Sequence, residues 1–515
     1  MIGRRRRLGG VLGALAVVVS AWTVVAVWVA PRVTPTIPEV AAQIWDDRSY
    51  YPPHLRTTFA EAGWGYLWGN LAATIVAAAI VLVRPLAPLF ERIAVAVHCL
   101  PMLAIGPILQ IVTTGATTKI ALSALAVFFT TMVCCVLGLR SADPASLDVV
   151  HTAGGGGLRT FTTVRVQAAL PSLFAGLRIA APAALLGAII GEYLGGRRGL
   201  GVAMILSQSS FDVARTWGLA VVIGATVGLA YGATGALARV LLPWASGERP
   251  ISVVQLGESR RKPVSMVLTA IASTALLVAA WWALLRLYDL NPYFAKRPGD
   301  VWRFLTRISD DRSDVFTAFG TTMVDTAVGF SVGLAASVLV ACAVVASPFL
   351  DAVIMPSAIA LRSIPIIAMT PLIALIFGRG LWCVTVIVGL VTFFPTLVAA
   401  ATAMRSAPRQ ACDVVSAYGG SRTRELFGVR LPFALPALFA AAKIALPAAI
   451  SGALLAEWLA TGKGLGSTML RASASSKFNI VWSGSVLIVA VSTAAYGLVG
   501  VIESIVARRI GAAQV

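Results

Sequence analysis

Two carboxylates stand out in a chain with few charges, because each one follows a long apolar stretch. Glu192 and Glu457 lie 265 residues apart, and each precedes a Gly-Leu-Gly sequence, at 199–201 and 464–466. Acids near membrane depth are costly enough to suggest a proton relay or a ligand contact. The alternative, which we favour, is a carboxylate at the water interface that accepts hydrogen bonds from backbone amides near the following glycines.

Both acids lie in a segment that occurs twice. Residues 148–204 and 413–469 align without a gap, and 27 of the 57 positions are identical. The match extends outward to Asp46–Ser49 and Asp310–Ser313, at an offset of 264. A repeat of half the chain is a whole module and not the short unit of a solenoid. We infer a duplicated gene fused end to end. The outer match suggests a shared structural role, with a docking contact as the alternative.

The elements that position these acids are expected to be membrane-spanning helices. The chain is 58% hydrophobic and 12% charged, with a mean hydropathy of +0.86, whereas soluble domains carry about a quarter charged residues. A span needs about 20 apolar residues, and six such runs occur in each half. We predict an all-α polytopic membrane protein of about twelve helices in two parallel six-helix repeats, with spans near 8–30, 62–83, 93–112, 119–139, 173–195, 217–238, 264–285, 323–346, 352–377, 381–401, 437–460 and 481–506.

The charged residues suggest an orientation. Arg4–Arg7 precede an apolar run that could be a signal peptide, but the run is too long, so we favour a retained first span. The net charge of +19 could suggest nucleic acid. Lys and Arg are instead concentrated in the loops that are cytoplasmic when the N-terminus is placed inside. This distribution is the positive-inside bias. We therefore expect cytoplasmic termini, a place in the inner or plasma membrane, contact with anionic lipid and no nucleic-acid partner.

Other chemistry finds little support in the sequence. The six cysteines show no C-x-x-C spacing, and the three histidines are scattered. Gly462-Lys463-Gly464 lacks the remaining residues of a phosphate-binding loop. We expect no catalytic residues, no metal site and no cofactor in this chain.

A long polar loop separates the fourth and fifth predicted spans of each half, at 140–171 and 405–436. In the second copy, we expect a short helix to end at Gly419-Gly420 and another to begin after Ser421. Such a helical pair would lie at the membrane surface and present a compact knob to the cytoplasm.

These loops resemble the EAA loop of binding-protein-dependent ABC importer permeases. The shared pattern is an acid, a glycine six residues on, then an aliphatic-x-Leu-Pro sequence. The second loop matches throughout, with Gly420 beside the first glycine, and the first loop matches in part because Val166-Gln167 replaces Leu-Pro. The resemblance places the ATPase-coupling residues at Asp148, Gly154, Val164, Asp413, Gly419, Gly420, Val429, Leu431 and Pro432.

The third predicted spans extend the resemblance. Ser363–Leu372 is similar to a signature of the nitrate/sulfonate/taurine-type branch, which also includes thiamine-precursor pyrimidine and riboflavin importers. The first half keeps a weaker version at Leu100–Pro107. Proline in a span frees a backbone carbonyl, which either bends the helix or helps to line a pathway. We regard the following as candidates for lining the pathway: Pro101, Pro107, Pro365, Pro371, Glu192 and Glu457.

The resemblance implies a mechanism and a set of partners. Each loop would insert a coupling helix into a groove on a cytoplasmic ABC ATPase, so the chain would need two ATPase subunits and an extracytoplasmic solute-binding protein. ATP and Mg would be bound by the ATPase and not by this chain. We expect the second loop to bind its ATPase subunit more firmly than the first, because the first has Gln167 where the second has Pro432.

We therefore predict a permease for a small polar or anionic organic solute. Residues 1–242 and 264–515 would each form a six-span module, joined by a cytoplasmic linker at 243–263. The alternative is an ion-coupled secondary transporter, which also often contains repeats. That class needs coupling groups at the midplane of its helices, whereas the acids here cluster near span ends and in loops. A membrane-embedded enzyme would need converging His, Asp, Glu or Cys residues in the spans, and we find none.

Overall fold

The computed structural model describes residues 19–20, 22–29, 34–83, 87–113, 115–245, 263–287, 289–307, 309–362 and 366–509. This part of the chain is helical and contains no strand. Most of the first predicted span, most of the linker at 243–263 and Pro365 lie outside the described residues.

Within its described residues, the first half forms nine α-helices after a short π-helix at Val25–Val29. Long helices alternate with short helices that lie before or after them in the chain. The bounds are α1 Ile37–Asp46, α2 Tyr51–Leu82, α3 Ala87–His98, α4 Met102–Val112, α5 Ala116–Arg140, α6 Pro144–Thr152, α7 Gly157–Leu194, α8 Leu200–Ser209 and α9 Val213–Leu241.

The second half repeats this order after one further helix. That helix, α10, runs over Pro263–Leu287 and corresponds to the predicted seventh span. The nine that follow match α1 to α9 in order: α11 Pro298–Thr306, α12 Asp310–Ala346, α13 Pro348–Arg362, α14 Ile366–Phe377, α15 Leu381–Arg405, α16 Arg409–Ala417, α17 Arg422–Thr461, α18 Gly464–Ala474 and α19 Phe478–Arg509.

Eight helices in the described ranges are long and apolar enough to cross a membrane: α2, α5, α7, α9, α12, α15, α17 and α19. The span predicted at 93–112 is not continuous, since α3 and α4 meet at an angle of 87°. Pro101 explains the break, because its ring disfavours the helical conformation for Leu100 and its own backbone is extended at the start of α4. With this bent pair counted as one span, the number rises to nine.

Small residues bring the long helices together. Gly65 and Gly69 on α2 lie directly against Ser123 and Ala124 of α5, where a side chain on either glycine would collide. In the second half, Gly329 and Gly333 make the same close approach between α12 and α15. Close backbone packing of this kind stabilises helix association within lipid, where burial of apolar surface contributes little.

The two halves interlock through the broken third span. Helix α4 of the first half packs against α17, α18 and α19 of the second. Ser485 on α19 donates a hydrogen bond to the backbone oxygen of Ala104 on α4, at 2.7 Å. Helix α14 packs reciprocally against α9. The interface between the halves therefore includes α4, which follows the break in the third span of the first half, and its counterpart α14.

The repeated outer segments are held by ion pairs. Asp47 is buried and accepts two hydrogen bonds from the guanidinium of Arg215, at 2.8 and 2.9 Å. Asp311, its equivalent, pairs with Lys477 at 2.8 Å, but both side chains are about half exposed. These contacts agree with a structural role for the matched segments.

We predict that Asp47→Asn destabilises the protein by about 1–2 kcal/mol at neutral pH, a reduced figure because Arg215 is 37% exposed. Hydrogen bonds from Arg215 hold the pKa of Asp47 below its ordinary value. The pair therefore stabilises the fold above the unfolded pKa of about 3.9, and this contribution is lost as the pH falls through the lower folded value. In thermal unfolding measurements in detergent, the difference in unfolding temperature between Asp47→Asn and wild type should decrease as the pH is lowered. Asp311→Asn is the matched control and should have little effect; equal losses from both variants would contradict the prediction.

Candidate functional site

The second polar loop, at 405–436, has the local structure that its sequence predicts. Helix α16 ends at Ala417, and Gly419 then adopts a left-handed backbone with φ of 71°. The amide of Gly420 donates a hydrogen bond to the Val415 carbonyl at 2.8 Å, which closes the end of the helix. The Ser421 side chain caps α17 by accepting from the Arg424 amide. The expected arrangement, a short helix α16 followed by a second helix α17 that begins after Ser421, is thus present.

The first loop folds in the same way from a different sequence. Asp143 caps α6 by accepting from the Ser146 amide at 3.1 Å. Gly154 has φ of 76°, and the Gly155 amide donates to the Val150 carbonyl. A side chain on Gly155 would collide with Val150, as one on Gly420 would with Val415. Sequence analysis named both glycines of the second loop but only Gly154 of the first; the geometry requires both in each loop.

Each loop is tied to the preceding span by an arginine that sequence reasoning missed. The chain enters α7 and α17 through one turn of π-helix, at Phe161–Arg165 and Leu426–Arg430. Arg165 donates to the Leu139 carbonyl at the end of α5, and Arg430 donates to the Met404 carbonyl at the end of α15. The recurrence of Val-Arg at 164–165 and 429–430 was the available signal. Val164 and Val429 lie within these π-turns, and Leu431-Pro432 follow directly.

The exposed surfaces of the two loops differ. Both acids, Asp148 and Asp413, are exposed. The second loop adds Tyr418, which is 88% exposed, where the first has Ala153. It also contains an ion pair between Arg430 and Glu425, at 2.6 Å, and the equivalent of Glu425 is Thr160. The second loop therefore has the larger aromatic contact surface and an additional internal restraint.

The two repeated glutamates lie at a second duplicated junction. Glu192 Oε2 accepts a hydrogen bond from the Gly201 amide at 2.6 Å, and the Thr58 hydroxyl donates to Oε1 at 2.6 Å. The same hydroxyl accepts from the Leu200 amide at 2.9 Å. This network connects the end of α7, the start of α8 and the N-terminal part of α2.

The second half repeats the junction. Glu457 Oε2 accepts from the Gly466 amide at 2.8 Å, and the Leu465 amide donates to the Thr322 hydroxyl at 2.9 Å. These contacts match the interpretation that the glutamates bind loop amides near the glycines. They do not match the expected place at a water interface, because Glu192 and Glu457 are 1% and 0% exposed.

The first glycine of each Gly-Leu-Gly sequence makes room for the carboxylate. Gly464 has φ of 85° and Gly199 has φ of 137°. A Cβ atom on either would lie 2.2 Å from the carboxyl carbon of Glu457 or Glu192. The spacing of acid and glycine is therefore a packing requirement as well as a hydrogen-bonding one.

One of the candidate prolines, Pro107, lies at the interface between the halves. Pro107, inside α4, lines a cavity of about 10 Å³ with Leu194 and Trp458, which is room for about one water. Pro101 begins α4, and Pro371 lies within α14. Tyr193 and Trp458, which follow the two glutamates, approach edge to face across the interface at 6.3 Å. A role for these residues in the pathway stays a prediction.

The comparisons with known proteins agree with this architecture. A model of the inner membrane component of binding-protein-dependent transport systems matches the chain twice, at residues 65–247 and 333–509, which is more than two thirds of its length. The chain belongs to this family. It is a multi-pass membrane permease of the ABC importer type, and the family implies a solute-binding protein and ATPase partners.

Individual relatives match about one third of the chain. A probable ABC transporter permease from Haemophilus influenzae is 32% identical over 33% of this chain and 67% of its own length. The riboflavin transport system permease of Chloroflexus aurantiacus is 31% identical over 31% of this chain and 60% of its own. The formylaminopyrimidine transport permease of Halalkalibacterium halodurans is 26% identical over 34% of this chain and 70% of its own. These relatives confirm the expected branch. No solved structure matches.

We predict that Gly464→Ala destabilises the protein by about 2–4 kcal/mol, because the added methyl group meets the Glu457 carboxylate and the backbone is left-handed. Gly199→Ala should act in the same direction. The control is Gly497→Ala on α19, where the added methyl group has open space and should be neutral or slightly stabilising. Thermal unfolding of the purified variants measures the effect, and equal unfolding temperatures for positions 464 and 497 would refute it.

Proposed function

We propose that this chain forms the complete translocation pathway of an ATP-driven importer. Residues 1–242 and 264–515 each supply one permease module, and 243–263 link them. The observation that carries the proposal is the pair of coupling loops, α6 and α16, which have the same backbone geometry and the same arginine tie to the preceding helix. A permease that works as a dimer presents two such loops, and this chain has both.

The proposed solute is a small polar or anionic organic molecule that a solute-binding protein delivers. Relatives that are named for riboflavin and for formylaminopyrimidine support this class. Family membership disfavours the ion-coupled secondary transporter. The energy source would be two cytoplasmic ATPase subunits, which would bind ATP and Mg.

The proposed orientation places both loops and both termini in the cytoplasm. An even number of spans in each half brings the two loops to the same side, and the excess of Lys and Arg on that side supports it. Helices α1 and α11 then lie outside the cell, where the solute-binding protein would dock.

We predict that the chain transports only as a complex with an ATPase. Co-expression with candidate ATPase subunits should yield a stable complex that hydrolyses ATP, and single cysteines at positions 148 and 413 should crosslink to the ATPase. A cysteine at position 300 on α11 should not crosslink. Solute accumulation by this chain alone, driven by an ion gradient, would sink the proposal, as would labelling of position 413 from outside the cell.

The two loops should contribute unequally. Gly419→Leu and Gly154→Leu both place a side chain on a left-handed backbone, which costs about 1–2 kcal/mol locally. We expect the larger loss of ATPase-coupled transport from Gly419→Leu, because the second loop has Tyr418 and the ion pair between Arg430 and Glu425. Tyr418→Ala should reduce ATPase affinity without strain, with Ser416→Ala as a surface control. An equal or greater loss from Gly154→Leu would show that the first loop dominates.

A further inference from the structure

A cavity of about 1050 Å³ lies between α10, the seventh predicted span, and the short helix α11 that follows it. Its wall on α10 is mostly apolar, and the residues that form it recur with the spacing of one helix face: Ile271, Thr274, Ala275, Val278, Ala279 and Trp282. Ile271 is 62% exposed and Trp282 is 46% exposed. Within the described residues, this face of α10 is therefore open to the surroundings of the protein.

The cavity belongs to a fixed arrangement of helices, because another face of α10 is packed. Trp281 stacks on Trp482 of α19, with the ring centroids 5.3 Å apart. Leu285 of α10 and Val301 of α11 are buried in one cluster with Trp482. This packed cluster fixes α11 relative to α10 and so keeps the space between them open.

The start of α11 gives one end of the cavity a positive charge, through Arg297, Gly299, Asp300 and Arg303. Both carboxylate oxygens of Asp300 are already engaged, since Oδ2 accepts the Arg297 amide and Oδ1 accepts the Arg303 guanidinium. The Arg297 guanidinium is exposed and forms no ion pair with any residue that the structure describes. Gly299 lies in the first turn of a nine-residue helix, where amides lack partners within the helix and favour anions. Two guanidinium groups and one carboxylate leave a net positive charge beside this amide.

The order of these groups along the cavity is the order of the parts of a phospholipid. Trp282 lies eleven positions after Ile271, which is about 17 Å along a helix, and one leaflet of the hydrocarbon core is about 15 Å thick. Tryptophan is typical of the level at which the hydrocarbon meets the headgroups. The Arg286 guanidinium lies over the Trp282 ring, 5.2 Å from its centroid, at the same level. A soluble anion could bind the arginines but would leave the apolar wall uncovered.

We propose that this cavity binds one anionic glycerophospholipid, with an acyl chain along α10 and the phosphate group at Arg297, Arg303 and the Gly299 amide. Guanidinium groups bind phosphate through charge-assisted hydrogen bonds, often in pairs. The site belongs to the second half alone, because Thr36 and Ala42 of α1 take the positions of Arg297 and Arg303 when both helices are counted from the N-cap.

In the proposed orientation the lipid belongs to the outer leaflet. The site is therefore distinct from the cytoplasmic contact with anionic lipid that the excess of Lys and Arg on that side suggests. Binding itself depends neither on the orientation nor on the solute or the ATPase.

Titration of the purified, delipidated full chain in detergent with phosphatidylglycerol tests the proposal. The unfolding temperature should rise saturably, and native mass spectrometry should retain one phosphatidylglycerol per chain under conditions that remove phosphatidylcholine with the same acyl chains. Arg297→Gln combined with Arg303→Gln should weaken binding about tenfold, because charge-assisted hydrogen bonds to the phosphate are lost. The control is Arg307→Gln, at an exposed arginine that ends the same helix outside the cavity, and it should leave binding unchanged.

A second pair of variants tests the apolar wall without changing any charge. Ala279→Phe fills part of the wall and should weaken the binding of phosphatidylglycerol, whereas Ala280→Phe, at an exposed position beside it that does not line the cavity, should not. Full retention of phosphatidylglycerol by the double arginine variant or by Ala279→Phe would overturn the proposal, as would equal retention of phosphatidylcholine by the wild type. An equal rise in unfolding temperature with inorganic phosphate alone would show that the site takes a soluble anion instead. A dimer of the chain that Ala279→Phe disrupts would also refute the proposal, since a second copy would then fill the cavity.

Discussion

The structure depends on how a carboxylate can be buried within a membrane domain. An ionised group at this depth is tolerated only when hydrogen bonds or an opposite charge compensate for lost water. Glu192 and Glu457 meet this condition through the amides of Gly201 and Gly466. Because those amides belong to α8 and α18, the carboxylates fix the angle at which each short helix leaves the preceding long one. The neighbouring Tyr193 and Trp458 are thereby held against each other at the interface between the halves.

The duplicated junction is separated from the duplicated coupling loop by the full length of one helix. In the first half, α7 runs from the π-turn at Phe161–Arg165 to Glu192. A rigid helix anchored at both ends can carry a displacement from one end to the other, and the π-turn is a natural place for the helix to bend. The loop contacts an ATPase in the proposed complex, and the far end contacts the other half. The same helix thus joins the energy source to the pathway.

Much of the helical architecture and of the two duplicated sites could be predicted from the sequence, because the repeat allows one half of the chain to be compared with the other. Gly419 and Glu457 could be found because their types and spacing recur. The buried ion pair between Glu61 of α2 and Lys119 of α5 could not be predicted, because it joins helices 58 residues apart and occurs in one half only. At Pro101 the sequence predicted a bend or a lining position within one span and not a full interruption, since hydropathy over 93–112 is continuous. The ties from Arg165 and Arg430 depend on the π-turns, which apolar periodicity does not reveal.

Fusion explains how the halves could come to differ at a buried site. In a homodimeric permease, a substitution of lysine by valine would remove both ammonium groups at once and leave both copies of the Glu61 carboxylate without a cation. In the fused chain, Val384 takes the position of Lys119 at the offset of 265 and affects one half, while Lys119 continues to stabilise the other. The same reasoning applies to the two polar loops, where Tyr418 and Glu425 are present on one side only. Independent change in each half allows one module to be optimised for docking while the other retains the original packing, so the asymmetry follows from the covalent link itself.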